Sequence, residues 1–277
     1  MHNVSLVFFT ILIQTAVGIF WAALFNIWTD NNGVGQIPLS ILSVCLGLII
    51  LGLISAMAHL GKPENAPHAI VNITRSWLSR EIVSIHLFAM GIVVLWILTV
   101  LEVQTGLFIV EIVVLALGIV TVLTMGKVYG LRTVPVWNNT ATFLDFWGTA
   151  VLTGGVASAG LNVLISDKGH APDPGVLMFL CLGLGLKLFS LFSRSAVQKR
   201  SAGLFWYASV RTKTRGKIST YVVHACLYTI AVALSAAVSM DMTGQPVFFL
   251  LVSCGVILVT EIWNRFLFYD SFGRLGL

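Results

Sequence analysis

The chain has 277 residues, of which 57% are apolar and 10% charged, with a formal net charge of +5 and a mean hydropathy of +0.95. A soluble globular domain contains about 25% charged residues, so this chain has too few polar side chains to cover a water-facing surface. The composition excludes a soluble domain and predicts an integral membrane protein with the lipid bilayer as its solvent and no nucleic-acid partner.

Apolar runs follow one another along the chain, each long enough to cross a bilayer as a helix of about 20 residues. Eight are found, at about 4–28, 38–60, 81–101, 106–126, 143–165, 174–193, 219–240 and 246–267. None alternates with the period of a membrane β-strand. We predict one all-α domain, a bundle of eight transmembrane helices with both termini on one face, called side A. The first run lacks a basic preceding segment and is too long for a signal peptide, so we expect it to be retained.

The second run ends in SAMAHLGKP (55–63), which places His59 where the helix leaves the apolar medium. Gly61 and Pro63 follow, and both residue types commonly end helices. An imidazole at this depth can accept a hydrogen bond from a quinol hydroxyl and then its proton. The alternative is that His59 only binds the last carbonyl groups of its helix, where the helix dipole favours a cation.

The third run begins at Glu81, and Ser79 and Arg80 directly precede it. We expect Ser79 to cap this helix and Glu81 to lie in its first turn, where the helix dipole favours a negative charge. A carboxylate there is equally a candidate to take a quinol proton onward from His59, and the two roles are compatible.

Ionisable side chains inside membrane helices are costly and tend to be functional. Those near side A are His59, Glu81, His86, Asp145, His224, Glu261 and Arg265, and Lys187 lies deeper. If their helices meet, they line one polar pocket beneath the surface. A second hypothesis pairs His86 with His224 as axial ligands of haem b. The four cysteines form no CxxC motif, so we expect neither an iron–sulfur cluster nor a metal site in this chain.

Basic residues are concentrated at side A. Of the sixteen Lys and Arg, Lys168 lies on the opposite face and Lys187 within a run, which leaves fourteen at side A. The positive-inside rule assigns such a face to the cytoplasm. The longest connections, about 61–80, 127–142 and 194–218, also lie there. The last is strongly basic around an apolar, aromatic middle, which suits the headgroup layer or a protein partner.

Five segments carry a family resemblance: AMAHLGKP (56–63), NITRSWLSREI (72–82), LRTVPVW (131–137), RSAVQ (194–198) and EIWNRFLFY (261–269). In this order, and with eight predicted helices, the chain resembles the DmsC-like proteins, the membrane anchor subunits of bacterial dimethyl sulfoxide reductases. The resemblance covers the whole length.

The resemblance implies an inner-membrane subunit of anaerobic respiration. Such a subunit anchors a molybdopterin catalytic subunit and a four-cluster, ferredoxin-like iron–sulfur subunit. It oxidises menaquinol and passes the electrons on without a haem or cluster of its own. The implied quinol-site histidine is His59 and its acidic partner Glu81. We expect the quinol-binding residues to be His59, Gly61, Ser79, Arg80 and Glu81. We expect the partner-docking residues to be Lys62, Arg75, Arg132, Pro135, Trp137, Lys199 and Arg200.

Two further points bear on this hypothesis. In the best-known family members the partner-binding face is periplasmic, whereas the charge bias here assigns it to the cytoplasm. The alternatives are a haem b quinol dehydrogenase subunit and a small-solute transporter. A transporter predicts an internal repeat, and none is evident between residues 1–126 and 143–267.

Overall fold

A computed structural model of the chain describes residues 2–29, 36–59, 72–131, 134, 137–165, 174–204, 218–240 and 244–270. Within these residues the structure contains eight helices and no strand. They are α1 His2–Thr29, α2 Leu39–His59, α3 Trp77–Val100, α4 Leu107–Tyr129, α5 Thr140–Ile165, α6 Pro174–Leu204, α7 Ile218–Ser239 and α8 Pro246–Asp270. The predicted all-α class is confirmed for this part of the chain.

Seven of these helices are long and apolar enough to span a membrane, which confirms a multi-pass membrane protein. Helix α5 is not among the seven, although its 26 residues are sufficient in length. The eighth crossing and the side of the termini therefore stay predictions.

Two helix ends differ from the sequence prediction. Helix α3 begins at Trp77, and its N-cap is Ser76, whose hydroxyl accepts a hydrogen bond from the Ser79 backbone N–H at 3.3 Å. The prediction that Ser79 is the cap was therefore wrong. Helix α6 continues to Leu204, where a loop was predicted from residue 194. The apolar run ends at its first charged residue, and the predicted helix ended with it. The helix itself continues because Ala, Gln, Lys and Arg all have high helix propensity.

Helices α1 and α5 form the centre of the bundle. Helix α1 contacts α2, α4, α5, α6 and α8, and α5 contacts α1, α4, α6, α7 and α8. The two cross where Gly18 meets Ala150 and Gly154, so closely that a Cβ atom on Gly18 would overlap the Ala150 carbonyl group. Beside the crossing, the Thr15 and Thr153 hydroxyls are 2.9 Å apart. Small residues permit this approach, as is usual between membrane helices.

The second four helices repeat the arrangement of the first four. The contacts α1–α2, α2–α3, α3–α4 and α1–α4 have counterparts in α5–α6, α6–α7, α7–α8 and α5–α8. An apolar groove lined by α1 residues Trp21, Leu24, Phe25 and Trp28 also has a counterpart. The second groove is lined by Ala157, Gly160, Leu161 and Leu164 of α5, each 136 residues further along.

No repeat is evident in the sequence, although the two halves share this arrangement of helix contacts. Lipid-facing and tightly packed positions constrain only hydrophobicity and size, so a shared backbone arrangement can persist when few identical residues remain.

Five ionised side chains meet where α5, α6 and α8 pack together. This charge cluster consists of Asp145, Lys187, Arg194, Glu261 and Arg265. Arg194 has 11% of its side chain exposed, whereas the other four have none. With two carboxylates and three cations, the cluster is close to neutral, as burial away from water requires.

Lys187 is the centre of the charge cluster. Its Nζ lies 3.1 Å from Asp145 Oδ1 and 2.7 Å from Glu261 Oε1, and it donates a hydrogen bond to the Thr149 hydroxyl at 2.6 Å. Arg265 donates to Gln14 Oε1 of α1 at 2.9 Å. The charge cluster therefore joins α6 and α8 to both central helices.

Replacing Gly18 with alanine should separate α1 from α5, because the added Cβ atom would meet backbone that cannot move alone. We expect Gly18→Ala to destabilise the fold by at least the ~1–3 kcal/mol typical of overpacking. The measurement is the thermal unfolding midpoint in detergent. Gly160→Ala on α5 is the matched control, since a Cβ atom there meets nothing within 4 Å. Equal midpoints for the two variants would contradict the close crossing.

Lys187→Met should destabilise the fold by about 3–5 kcal/mol, because it leaves buried carboxylates without their cation. Removing the Glu261 charge at the same time should restore part of this loss, since these two groups are paired at 2.7 Å. The test is a double-mutant cycle of Lys187→Met and Glu261→Gln on the unfolding midpoint. Strictly additive losses would show that the pair is not coupled.

Candidate functional site

Glu81 lies on the buried face of α3. Its helical neighbours Ile85, Phe88, Ile92 and Leu95 form one buried stripe with it. Glu81 itself is 3% exposed, and its Oε1 has no hydrogen-bond partner among the described residues. A buried carboxyl oxygen without a partner is costly, so this group is a candidate for function rather than for stability.

A hydroxyl contact holds α3 against α4 beside this carboxyl. The Ser84 and Thr124 hydroxyls are 2.9 Å apart, and Ser84 Oγ also donates to the backbone carbonyl of Glu81. Both residues are buried. The contact fixes the depth and direction of the first turns of α3, and with them the position of Glu81.

Two buried tyrosines face Glu81 from the ends of α4 and α8. The Tyr269 hydroxyl donates a hydrogen bond to the Tyr129 hydroxyl at 2.9 Å. The Glu81 carboxylate lies within electrostatic range of both phenols. The Tyr269 hydroxyl also lies near Thr10 of α1. This tyrosine pair therefore sits at the junction of α1, α4 and α8.

Aromatic rings surround the tyrosine pair. Trp137 stacks on Phe268 with ring centroids 5.0 Å apart, and its indole N–H donates to the Phe268 backbone carbonyl at 3.0 Å. Phe146 packs 5.3 Å from Tyr129, and the Arg265 guanidinium lies 4.0 Å above the Phe146 ring. The aromatic rings therefore lie between the tyrosine pair and the charge cluster and contact both, since the Arg194 guanidinium also lies 4.9 Å from the Phe268 ring.

The predicted quinol residues have different positions. His59 is the last residue of α2, and its side chain is outside the described part of the structure, as is all of Gly61. Ser79 is buried two residues before Glu81. The Arg80 guanidinium donates to the carbonyl groups of Ile73 at 2.8 Å and Thr74 at 2.7 Å and lies 4.3 Å above the Trp77 ring. Arg80 thus anchors the segment that precedes α3.

The predicted docking residues are described only in part. Trp137 is buried in the aromatic group, and Arg75 is exposed in the turn before α3. Lys199 and Arg200 lie in the last turns of α6, with side chains outside the described structure. Lys62, Arg132 and Pro135 also lie outside it.

The predicted polar pocket is described only in part, because the His59 side chain lies outside the described structure. Asp145, Glu261 and Arg265 belong to the charge cluster, whereas Glu81 lies beside the tyrosine pair. His224 is buried against Trp263, with ring centroids 4.5 Å apart. His86 is exposed, and its Nδ1–H donates to the Ile82 carbonyl at 2.7 Å. Depth along a helix is readable from sequence, but the direction in which a side chain faces depends on packing.

Sequence reasoning missed Tyr129 and Tyr269. Each lies at the side A end of its helix, and Tyr269 closes the segment EIWNRFLFY. Tyrosine at a membrane helix end usually marks the lipid–water interface, so its position alone gives no sign of a buried site. The signal that distinguishes these two is their mutual contact, which links residues 140 positions apart.

Comparison with known proteins identifies the family. The model of the family described as DMSO reductase anchor subunit (DmsC) matches residues 1–271. The C subunit of the anaerobic dimethyl sulfoxide reductase of Haemophilus influenzae is 31% identical over 172 residues, which cover 61% of this protein and 61% of that one. The anaerobic dimethyl sulfoxide reductase subunit YnfH of Escherichia coli is 29% identical over 223 residues, which cover 76% of this protein and 77% of that one.

The matched part spans about three fifths of the Haemophilus influenzae protein. The family match, in contrast, extends almost from end to end and includes all eight helices. It agrees with the resemblance seen in the five sequence segments. The chain therefore belongs to the DMSO reductase anchor subunit family.

Proposed function

We propose that the chain is the membrane anchor and quinol-oxidising subunit of a dimethyl sulfoxide reductase or a related S- or N-oxide reductase complex in the bacterial inner membrane. It holds an iron–sulfur subunit and, through it, a molybdopterin catalytic subunit. Menaquinol gives up its electrons at side A directly to the iron–sulfur partner. The observation that carries the proposal is the buried Glu81 carboxyl with an unpartnered oxygen, five residues into a helix that follows the HLG segment.

The roles of the two site residues follow from their chemistry. Quinol oxidation removes two protons together with two electrons, so a base must stand beside the headgroup. His59 ends α2, and α2 packs against α3, which carries Glu81. In the proposed site His59 binds and deprotonates the quinol, and Glu81 takes the proton onward. Both helices expose apolar side chains such as Ile54 and Met90 outward, so an isoprenoid tail can stay in lipid.

Side A is the proposed docking face. The helix ends at the tyrosine pair belong to α4 and α8, and the exposed Arg75 lies just before α3. The basic residues of the 194–218 segment lie on the same predicted face and suit an acidic partner surface. Docking on this face brings the partner's cluster close to Glu81. Following the family resemblance, we assign this face to the periplasm.

The internal repeat does not favour a transporter. Transporters with repeats place their sites near the bilayer midplane between the two halves. Here the unpartnered carboxyl lies in the first turns of α3, near one end of the bundle.

Changing Glu81 to glutamine should abolish quinol-driven reduction while preserving the fold, because the amide keeps the size but cannot accept a proton. We expect a loss of at least about a hundredfold, the usual contribution of a general base. The assay uses inner membranes containing the whole complex, a soluble naphthoquinol as donor and dimethyl sulfoxide as acceptor. His59→Ala should have the same effect.

The control for assembly is reduction driven by a reduced viologen dye, which should stay normal in both variants. The matched control variant is Glu111→Gln, since Glu111 is also buried but lies near the beginning of α4, away from side A. If naphthoquinol-driven turnover persists in Glu81→Gln, the site assignment is wrong.

A further inference from the structure

The position of Glu81 raises the question of how its proton leaves. Only 3% of the residue is exposed. A carboxylate that takes a proton in every turnover must release it again, and a group this deep has little contact with water. This inference rests on the proposed function, in which Glu81 is the proton acceptor.

The tyrosine pair has the chemistry for such a release. A phenolic hydroxyl is both a donor and an acceptor, so it can receive one proton while passing on its own. The Tyr129 and Tyr269 oxygens are 2.9 Å apart, within the range of a normal O–H···O bond. A hydroxyl rotates freely, so the direction of this hydrogen bond can reverse during transfer.

Glu81 and Tyr129 lie at similar depth on the neighbouring helices α3 and α4. Starting from the Ser84–Thr124 contact, Glu81 lies three residues nearer side A and Tyr129 five residues nearer. At 1.5 Å per residue these displacements are about 4.5 and 7.5 Å, a difference of about 3 Å. Helical side chains lean toward the N-terminus of their own helix. Glu81 therefore leans toward side A and Tyr129 away from it, which brings the two groups closer.

The pair also lies where the packed core ends. Tyr129 is the last residue of α4, and Tyr269 is the last but one of α8. The residue after Tyr269, Asp270, is exposed at the end of α8. A proton that reaches Tyr269 is thus at the side A boundary of the bundle.

We propose that Tyr129 and Tyr269 form a proton relay from Glu81 to the side A surface. A quinol O–H bond breaks, its proton reaches the Glu81 carboxylate directly or through His59, and the electrons go to the iron–sulfur partner. Glu81 then gives the proton to the Tyr129 oxygen, as the Tyr129 proton moves to Tyr269 and the Tyr269 proton to water. Glu81 is left ionised and both phenols neutral, ready for the second proton.

The test removes each hydroxyl and keeps each ring. In Tyr129→Phe and Tyr269→Phe, we expect kcat for naphthoquinol-driven reduction to fall about tenfold or more, with KM unchanged. The solvent deuterium isotope effect on kcat should rise, because proton release becomes rate-limiting. The double variant should be no slower than the slower single variant, since both hydroxyls belong to one path.

Viologen-driven activity should stay normal and reports assembly. Tyr228→Phe is the matched control, because it removes another fully buried hydroxyl, from α7 beside the charge cluster, and it should leave kcat and the isotope effect unchanged. The loss of either hydroxyl interrupts the relay. The relay is therefore tested even if the complex assembles with only one of the two phenylalanine variants.

The outcomes separate the two proposals. If Glu81→Gln is inactive while the phenylalanine variants have normal kcat and isotope effect, the relay is wrong and the quinol site stands. If Glu81→Gln is active, the quinol site itself is wrong. If Tyr228→Phe slows turnover as much as the pair variants, the effect belongs to any buried hydroxyl, and the relay is refuted.

Discussion

A bilayer core supplies no water to a buried charge, and this constraint explains most of the structure. Each ionisable group within the bundle must find a partner, face outward near a boundary, or stay unpaired at a cost of several kcal/mol. Lys187 meets the constraint by contacting two carboxylates and a hydroxyl at 2.6–3.1 Å. Glu81 does not meet it within the described structure, and this exception marks the candidate site.

The two halves of the bundle solve the problem differently. They share one arrangement of four helices, centred on α1 and α5. The second half, with Arg265 reaching Gln14 of α1, holds a nearly neutral charge cluster that ties its helices to the centre. The first half buries the Glu81 carboxyl, with one oxygen unpartnered, on a helix that packs against α4. One half is thus fixed by ion pairs, whereas the other offers a base.

Close packing at the centre makes this division possible. Where Gly18 and Gly154 meet, the backbones of α1 and α5 are in direct contact. Attraction between apolar surfaces does little to join helices within lipid, so packing of this kind and polar contacts must hold them. The close crossing brings α8 near enough to α1 for Arg265 to reach Gln14 and for Tyr269 to approach Thr10. The charge cluster and the tyrosine pair both depend on it.

The sequence by itself determined the membrane class, the order of the helices, the family and the choice of Glu81 as a candidate, because these follow from hydropathy, residue type and local motifs. It misplaced the N-cap of α3 and ended α6 too early. Only the tertiary structure decided that Asp145 meets Lys187, that Tyr129 meets Tyr269, and that the two halves share one arrangement of helices. Such facts join residues tens to hundreds of positions apart. A nearly uniformly apolar helix has no periodic pattern in its sequence, so the sequence does not show which of its faces is buried.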